Sequence, residues 1–356
     1  MKDLIWEPMR NRSVKMLKQN NRPVILIAVL VVMIANAHIP GNKADKQRDG
    51  LQLMFYNAEN FFDTLDSPLD DDEFLPESAR KWNSYKYYRK LNNTFRVVVL
   101  CATAMQTPDI IGLCEIENSA VLHDLCEKTY LKHEKYAYLV SEGKDERGIN
   151  TALIYRSEKL ELLSYESWCP VDSLGGYMHT RAILYSSFRQ GRDTVDVMIC
   201  HWPSRRGGAI SSDKSRMAVA SFMREKIDSI RAGRKIIIMG DMNDEPCSES
   251  VREMLGASCR PDGGGGGALV NTYVPGGQGP GTYKYRGTWY AFDQIILSSG
   301  LYDARSGLSY ERESFRIVDN GALLRDDNSY KGFRPFGTWY GYDYQGGYSD
   351  HLPVTA

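Results

Sequence analysis

Lys235-Ile236-Ile237-Ile238-Met239-Gly240-Asp241-Met242-Asn243 is the stretch on which the fold of this chain is decided. Four consecutive apolar residues, three of them β-branched, form the short unbroken run of a strand buried on both faces. The run stops at a glycine. Asp241 and Asn243 follow two apart, so both side chains can be presented to one point. A carboxylate and an amide beyond the carboxyl end of a buried strand occupy the place where layered α/β proteins put their functional groups.

The same pattern recurs outward in both directions. Upstream, residues 215–231 read as a helix, and the strand-like run 195–200 ends on His201-Trp202-Pro203. Farther upstream, Asp109-Ile110-Ile111-Gly112-Leu113-Cys114-Glu115 is a short strand ending on a carboxylate, with Glu117 two residues on. The first apolar run, 51–56, leads straight into Asn57-Ala58-Glu59-Asn60. Downstream, Asp293 lies within Ala291-Phe292-Asp293-Gln294-Ile295-Ile296, and Ser349-Asp350-His351-Leu352-Pro353-Val354 sits near the chain end. Further strands are expected at 151–155, 182–188 and 292–297, and a helix where Leu91, Phe95, Val98, Val99 and Ala102 recur at helical spacing. Taken singly, each polar cluster has an ordinary explanation, since Gly-Asp turns are common and a lone histidine is usually structural. Their joint order along one chain is harder to explain that way. Strands outnumber helices over the whole length without a break in composition, so residues 51–356 are expected to form one layered α/β domain.

These pieces resemble the endonuclease/exonuclease/phosphatase superfamily, which includes deoxyribonuclease I, exonuclease III-type repair nucleases, neutral sphingomyelinases and inositol-polyphosphate phosphatases. Gly240-Asp241-Met242-Asn243 and Ser349-Asp350-His351 carry most of the likeness, which spans Leu51 to Thr355. The resemblance implies an α/β four-layer sandwich: two packed mixed β-sheets flanked by helices, as in deoxyribonuclease I. It further implies a magnesium site, with manganese or calcium as alternatives, formed by Glu115, Asn57 and Asp350, with Glu115 favoured over Glu117. Asp241 and Asn243 would orient water and a phosphate oxygen. Asp293 would fix the tautomer of His351 and favour its protonated form, while protonated His201 and His351 would add hydrogen bonds to the phosphate oxygens or help transfer protons to and from water and the leaving group. Arg181 resembles a phosphate-contacting arginine of the deoxyribonuclease I branch. The sequence departs from the family pattern at Tyr56, which stands where Trp or Phe is usual, and at Cys114, which replaces a common Gln.

Composition limits the partners. The 356 residues carry 44 Lys+Arg against 45 Asp+Glu, a formal net charge of -1, so a polyanion would meet local basic residues or bound metal and no global positive field. At the N-terminus, Lys15, Lys18 and Arg22 precede the apolar run 24–34 and Ala35-Asn36-Ala37. This is the charged, apolar, small-residue order of an export signal over 1–37, or else of a membrane anchor, followed by a polar linker at 38–50. Either reading puts the domain outside the cytoplasm. Seven cysteines, an odd number without metal-type spacing, are expected to form no disulfide framework. The acidic, proline-containing stretch 66–77 reads as a solvated loop, because it lacks the glycine and ligand spacing of a calcium loop.

Two basic stretches bear on the substrate. Lys81-Trp82-Asn83-Ser84-Tyr85-Lys86-Tyr87-Tyr88-Arg89-Lys90 mixes cations with rings, and Arg205-Arg206 follows the histidine motif. Both suit a nucleic-acid backbone, so the expectation is a monomeric, exported, metal-dependent nuclease. The alternative is hydrolysis of a phospholipid head group or a small phosphoester such as a sugar phosphate, with the Tyr-, Phe- and Trp-rich segment 330–348 at the rim.

Overall fold

The computed structural model describes residues 50–104, 106–172, 174–205, 209–230, 233–258, 269–273, 280–302 and 307–356. The expected export signal or anchor, nearly all of the linker, the glycine run 263–267 and Arg206 lie outside the described residues. Among those described, no helix is long and apolar enough to cross a membrane.

The chain first builds one sheet from β1 (Leu53–Phe61), β2 (Ile110–Ile116), β3 (Tyr136–Val140) and β4 (Asn150–Arg156). It then lays down a second from β5 (Glu161–Trp168), β6 (Ile183–Gln190), β7 (Asp193–His201), β8 (Lys235–Asp241), β9 (Ala257–Ser258) and β10 (Leu269–Asn271). A hairpin of β11 (Tyr283–Tyr285) and β12 (Thr288–Tyr290) precedes β13 (Asp293–Ser298), which returns to the second sheet. The chain ends back at the first sheet with β14 (Arg316–Ile317), the small hairpins β15 (Leu324–Asp326)/β16 (Phe333–Pro335) and β17 (Trp339–Tyr340)/β18 (Asp343–Tyr344), and the two-residue β19 (Val354–Thr355). The strand orders are β14-β19-β1-β2-β4-β3 and β5-β6-β7-β8-β13-β10-β9. Both sheets are mixed: β1 and β2 run parallel while β2 and β4 oppose, and β7 and β8 run parallel while β8 and β13 oppose.

The sheets pack face to face through Phe55, Ile199, Met239 and Ile295, all fully buried. Gly112 makes the close approach possible: a β-carbon there would lie 2.7 Å from Ile199 Cδ1 and 3.1 Å from the Phe55 ring. Helices α1 (Ser84–Leu100) and α2 (Ser119–Glu127) pack against the first sheet. On the second, α3 (Ala209–Ser229) lays Val219, Ala220, Met223 and Ile227 onto Met198, Ile236 and Ile238. Four layers result, as the resemblance implies. Tyr87, Leu91, Thr94 and Val98 form the buried stripe of α1, whereas Val99 is 46% exposed and Ala102 falls beyond the helix end. That corrects the expected spacing by one residue, because Lys90 and Thr94 are buried polar members of the stripe that an apolar count passes over.

The cysteines also differ from expectation at one place. Cys101, Cys114, Cys126, Cys169 and Cys200 are free thiols, but Cys247 is disulfide-bonded.

Candidate active site

Strand register assembles the polar clusters. His201 at the end of β7 is paired with Asp241 at the end of β8, and Asp241 is paired with Asp293 at the start of β13. One transverse row of the second sheet thus carries His201, Asp241 and Asp293. Gly240 is required within β8: a β-carbon would stand 2.6 Å from the Cys200 carbonyl oxygen on the neighbouring strand. The facing edge of the first sheet supplies Asn57, whose Nδ2 donates to Asp241 Oδ2 across 3.0 Å.

Glu115 reaches the same place because its backbone is left-handed, with φ 60°, at an irregularity between Cys114 and Ile116 in the pairing of β2 with β4. The turn breaks the alternation that would give Glu115 and Glu117 a shared face. Glu115 Oε2 accepts from the Asn60 amide at 2.8 Å, and Oε1 lies 3.9 Å from His201 Nε2. Glu117 points elsewhere, accepting the Asp63 amide at 2.6 Å. Its burial, with Asp63 and Asp71 adding negative charge, pushes the carboxyl up to about 7.

The C-terminal motif closes the cluster. Ser349 Oγ donates to the Asn57 carbonyl at 2.8 Å and accepts the His351 amide at 3.0 Å, which fastens the turn to β1. His351 Nδ1 lies 2.7 Å from Asp293 Oδ2, and its Nε2 lies 3.8 Å from Asp241 Oδ2. Asp241, Asp293 and His351 each bring a ligand-type atom within 4.8 Å of the others. Asn243, at φ 48°, gives its backbone N–H to Asp241 Oδ1 (2.9 Å) and one amide N–H to the Trp202 carbonyl (3.0 Å).

Electrostatics separates the two histidines. Burial opposes charge on His351, but the carboxylates of Asp293, Asp241 and Asp350 and the hydrogen bond to Asp293 outweigh it and hold the imidazole well above its usual value. His201 is driven well below, first by burial and then by Arg181, Arg147 and His351. Where protonation of both rings is expected, the surroundings push His351 toward the charged form and His201 toward the neutral one. Burial likewise raises Asp241 to about 6, with Asp293 adding to the rise against the pull of His351. Asp350 is raised by burial, with Glu115 opposing its ionisation and His351 and Lys90 favouring it.

Glu115, Asp350 and the Asn57 amide offer carboxylate and carbonyl oxygens at the same strand ends, the donor type that a hard divalent cation takes. His351, charged and joined to Asp293, makes a poor metal ligand. The Asp241-Asp293-His351 group therefore reads as an acid pair beside a carboxylate, and Asp293 Oδ1, buried and without a donor among the described residues, leaves room for one further contact.

The basic residues divide. Arg181 is 6% exposed, paired with Asp145 at 3.5 Å and hydrogen-bonded to the Trp202 carbonyl, and its Nε, buried near His201, has no partner among the described residues. Arg205 is spent internally instead. It donates to the Asn243 carbonyl at 3.0 Å and Asp244 at 2.8 Å, and its guanidinium lies 4.8 Å from the centre of the Phe292 ring. Lys90 is fully buried and donates to Thr338 Oγ1 and the Tyr348 carbonyl, both at 2.6 Å. Lys86 lies over Trp339 and Tyr344, and Arg89 donates to the Gly346 carbonyl at 2.8 Å. The expected basic track is thus largely a clasp between α1 and the segment 336–348.

Sequence reading passed over Arg147 and Asp145, which flank His201 and Arg181, and the buried pair Lys90–Glu59, 4.0 Å apart, beside Asp350. Glu59 stands in the quoted run after Asn57, so position alone gave a hint of it. Arg147 and Asp145 sit in a loop with no such signal.

Residues 52–356 match the model of the Endonuclease/Exonuclease/phosphatase family. The chain belongs to that family. No curated protein sequence matches it. Among solved structures, a humanised D. rerio TDP2 superposes with a TM-score of 0.51 at 16% identity, covering 86% of this chain and 98% of that one. The Bacteroides thetaiotaomicron mannosyl-6-phosphatase gives 0.50 at 15% identity, covering 86% and 98%. At these identities the likeness establishes the fold, the one family members share, and membership makes the protein a phosphoester hydrolase.

Proposed function

We propose that this protein is an exported, divalent-metal-dependent hydrolase of a small phosphoester, such as a sugar phosphate. The convergence of His201, Asp241 and Asp293 in one sheet row with Asn57, Glu115 and the Ser349-Asp350-His351 turn is the observation that carries the hydrolase reading. Magnesium, or manganese or calcium, would be held by Glu115, Asn57 and Asp350 and would supply positive charge to the phosphate oxygens. The rest falls to the chain's own groups. Imidazolium His351, fixed through Nδ1 by Asp293, turns Nε2 toward the cluster and donates to a phosphate oxygen. Asp241, braced by the Asn57 amide and the Asn243 N–H, orients the attacking water and accepts its proton, with neutral His201 beside it. Arg181, whose Nε has no partner among the described residues, binds the substrate's negative charge.

The preference for a small substrate rests on how the cations are used: Arg205, Lys86, Arg89 and Lys90 all have internal partners, and the net charge is -1. The mannosyl-6-phosphatase shows that this fold accommodates such an activity. Export is supported by the apolar N-terminal run and by the disulfide at Cys247, a bond that persists in oxidising compartments.

A second reading, a nuclease, is favoured by the exposed rings of Tyr85, Tyr88, Tyr340 and Tyr342, which offer stacking faces to bases. One assay separates the two. Purified protein with magnesium is given hexose phosphates, a phospholipid, single-stranded and duplex DNA, and RNA, each with a chelator control. Phosphate release from the hexose phosphate supports the first reading; nucleic-acid cleavage alone would replace it with the second.

A further inference from the structure

A second cluster of carboxylates lies in the loop between β1 and α1, the stretch read from sequence as a solvated turn. Asp66, Asp71 and Asp72 each place an oxygen within 4.8 Å of the other two. Asp66 and Asp72 are exposed, but Asp71 is only 2% exposed. Its Oδ2 accepts one long hydrogen bond, 3.2 Å, from the Ser67 amide, and its Oδ1, buried, has no donor among the described residues. Among the described residues no lysine or arginine pairs with it, and Arg80 is engaged by Glu73 at 2.9 Å. A carboxylate taken out of water without a counter-ion is unfavourable, and two further carboxylates at contact range make it more so. A cation from solution would supply the missing counter-charge.

We propose that Asp66, Asp71 and Asp72 form a structural binding site for a calcium-type cation, separate from the catalytic cluster. The donors are all carboxylate oxygens. Two of the three face solvent and leave positions for water, and the site lies on an irregular loop. Calcium tolerates such an incomplete, adaptable shell, whereas magnesium demands a near-octahedral one. The loop position gives the ion a purpose: Asp70 donates its amide to the Glu146 carbonyl at 3.0 Å, and a β-carbon on Gly148 would touch Leu69 at 3.2 Å. Ordering residues 66–72 therefore braces the loop carrying Asp145, the partner of Arg181.

The test is thermal unfolding of the full chain with and without about 10 mM calcium chloride, a level well above the weak affinities of extracellular calcium modules. Calcium is expected to raise the melting midpoint by about 3–6 °C in the wild type and in Glu115→Gln, where the catalytic cluster has lost a ligand. Asp66→Asn and Asp72→Asn, both at exposed positions and safe for folding, are expected to reduce that rise at least by half. Asp71→Asn is expected to abolish it and, by removing an unpaired buried charge, to unfold higher than the wild type without calcium. The proposal is overturned if the wild type shows no rise, if the three loop variants keep the full rise, or if Glu115→Gln alone removes it.

Discussion

Two regions of the molecule use the same residue types in opposite ways. Around the ends of β1, β2, β7, β8 and β13, charged groups are buried, mutually oriented and incompletely satisfied: Asp293 Oδ1, His201 Nδ1 and Arg181 Nε have no partner among the described residues. At the rim formed by α1 and residues 336–348, cations and rings satisfy one another. Arg80 lies 4.9 Å from the ring centres of both Trp339 and Tyr342, and Lys86 lies 4.7 Å from that of Tyr344. Unspent polar capacity in a buried cluster is the mark of a site waiting for a ligand. A saturated cation–ring lattice is the mark of a structural clasp, with only its outermost tyrosines available to a partner.

That contrast is most exposed to test at the cluster. His351→Ala and Asp241→Asn should each lower kcat by about 10³-fold or more with modest change in KM, since both act on the transition state. A loss below tenfold in steady-state hydrolysis would remove them from the chemistry. Next in size, Arg181→Lys loses the planar fork but keeps the charge and should cost about 10–100-fold in kcat/KM. If the arginine only supports Trp202, thermal stability will fall and kinetics of the folded enzyme will not.

At the rim, Tyr342→Ala with Tyr85→Ala should leave turnover of a small phosphoester unchanged. A rise in KM of about tenfold on single-stranded DNA, the scale of one lost stacking contact, would move the rim from clasp to binding surface.

Smaller effects fall on stability. Gly112→Ala, read by chemical denaturation, should cost about 1–3 kcal/mol, because the added methyl meets Ile199 and Phe55 between the sheets; an unchanged midpoint would mean that the sheets pack less tightly there. Glu117 titrates near 7 when folded, above the ordinary 4.5, so the stability tied to its protonated form is full below about 4.5 and is lost as pH rises through about 7. Glu117→Gln should therefore stabilise the protein by about 1–2 kcal/mol at pH 8 and little at pH 5, as melting at the two pH values will show.

The sequence made the strands legible where apolar runs end on a polar residue, as at Cys200-His201 and Gly240-Asp241, because burial on both faces leaves an unbroken pattern. It placed Asn57, Glu115, Asp293 and His351 near one another only through the family resemblance. What it hid depended on backbone geometry and on partners distant in the chain. Strict alternation puts Glu115 and Glu117 on one face, and only the left-handed turn at Glu115 separates them. Arg205 looks free until Asp244 is seen to hold it, and Lys90 looks like a surface cation until Thr338 and Tyr348 are seen to enclose it. Edge strands such as β5, whose residues Leu163 and Tyr165 are exposed, carry no clear apolar pattern and were silent for the same reason.

The comparison of those two glutamates also gives the most direct test of the central claim, that the strand-end cluster is a metal-dependent phosphoesterase site. Phosphoester hydrolysis is measured against magnesium concentration for Glu115→Gln beside Glu117→Gln. The account predicts a loss of about 100-fold or more in the first, with the dependence on magnesium shifted to higher concentration, and near-wild-type behaviour in the second. Equal activity of the two variants, or hydrolysis that persists in chelator, would contradict it.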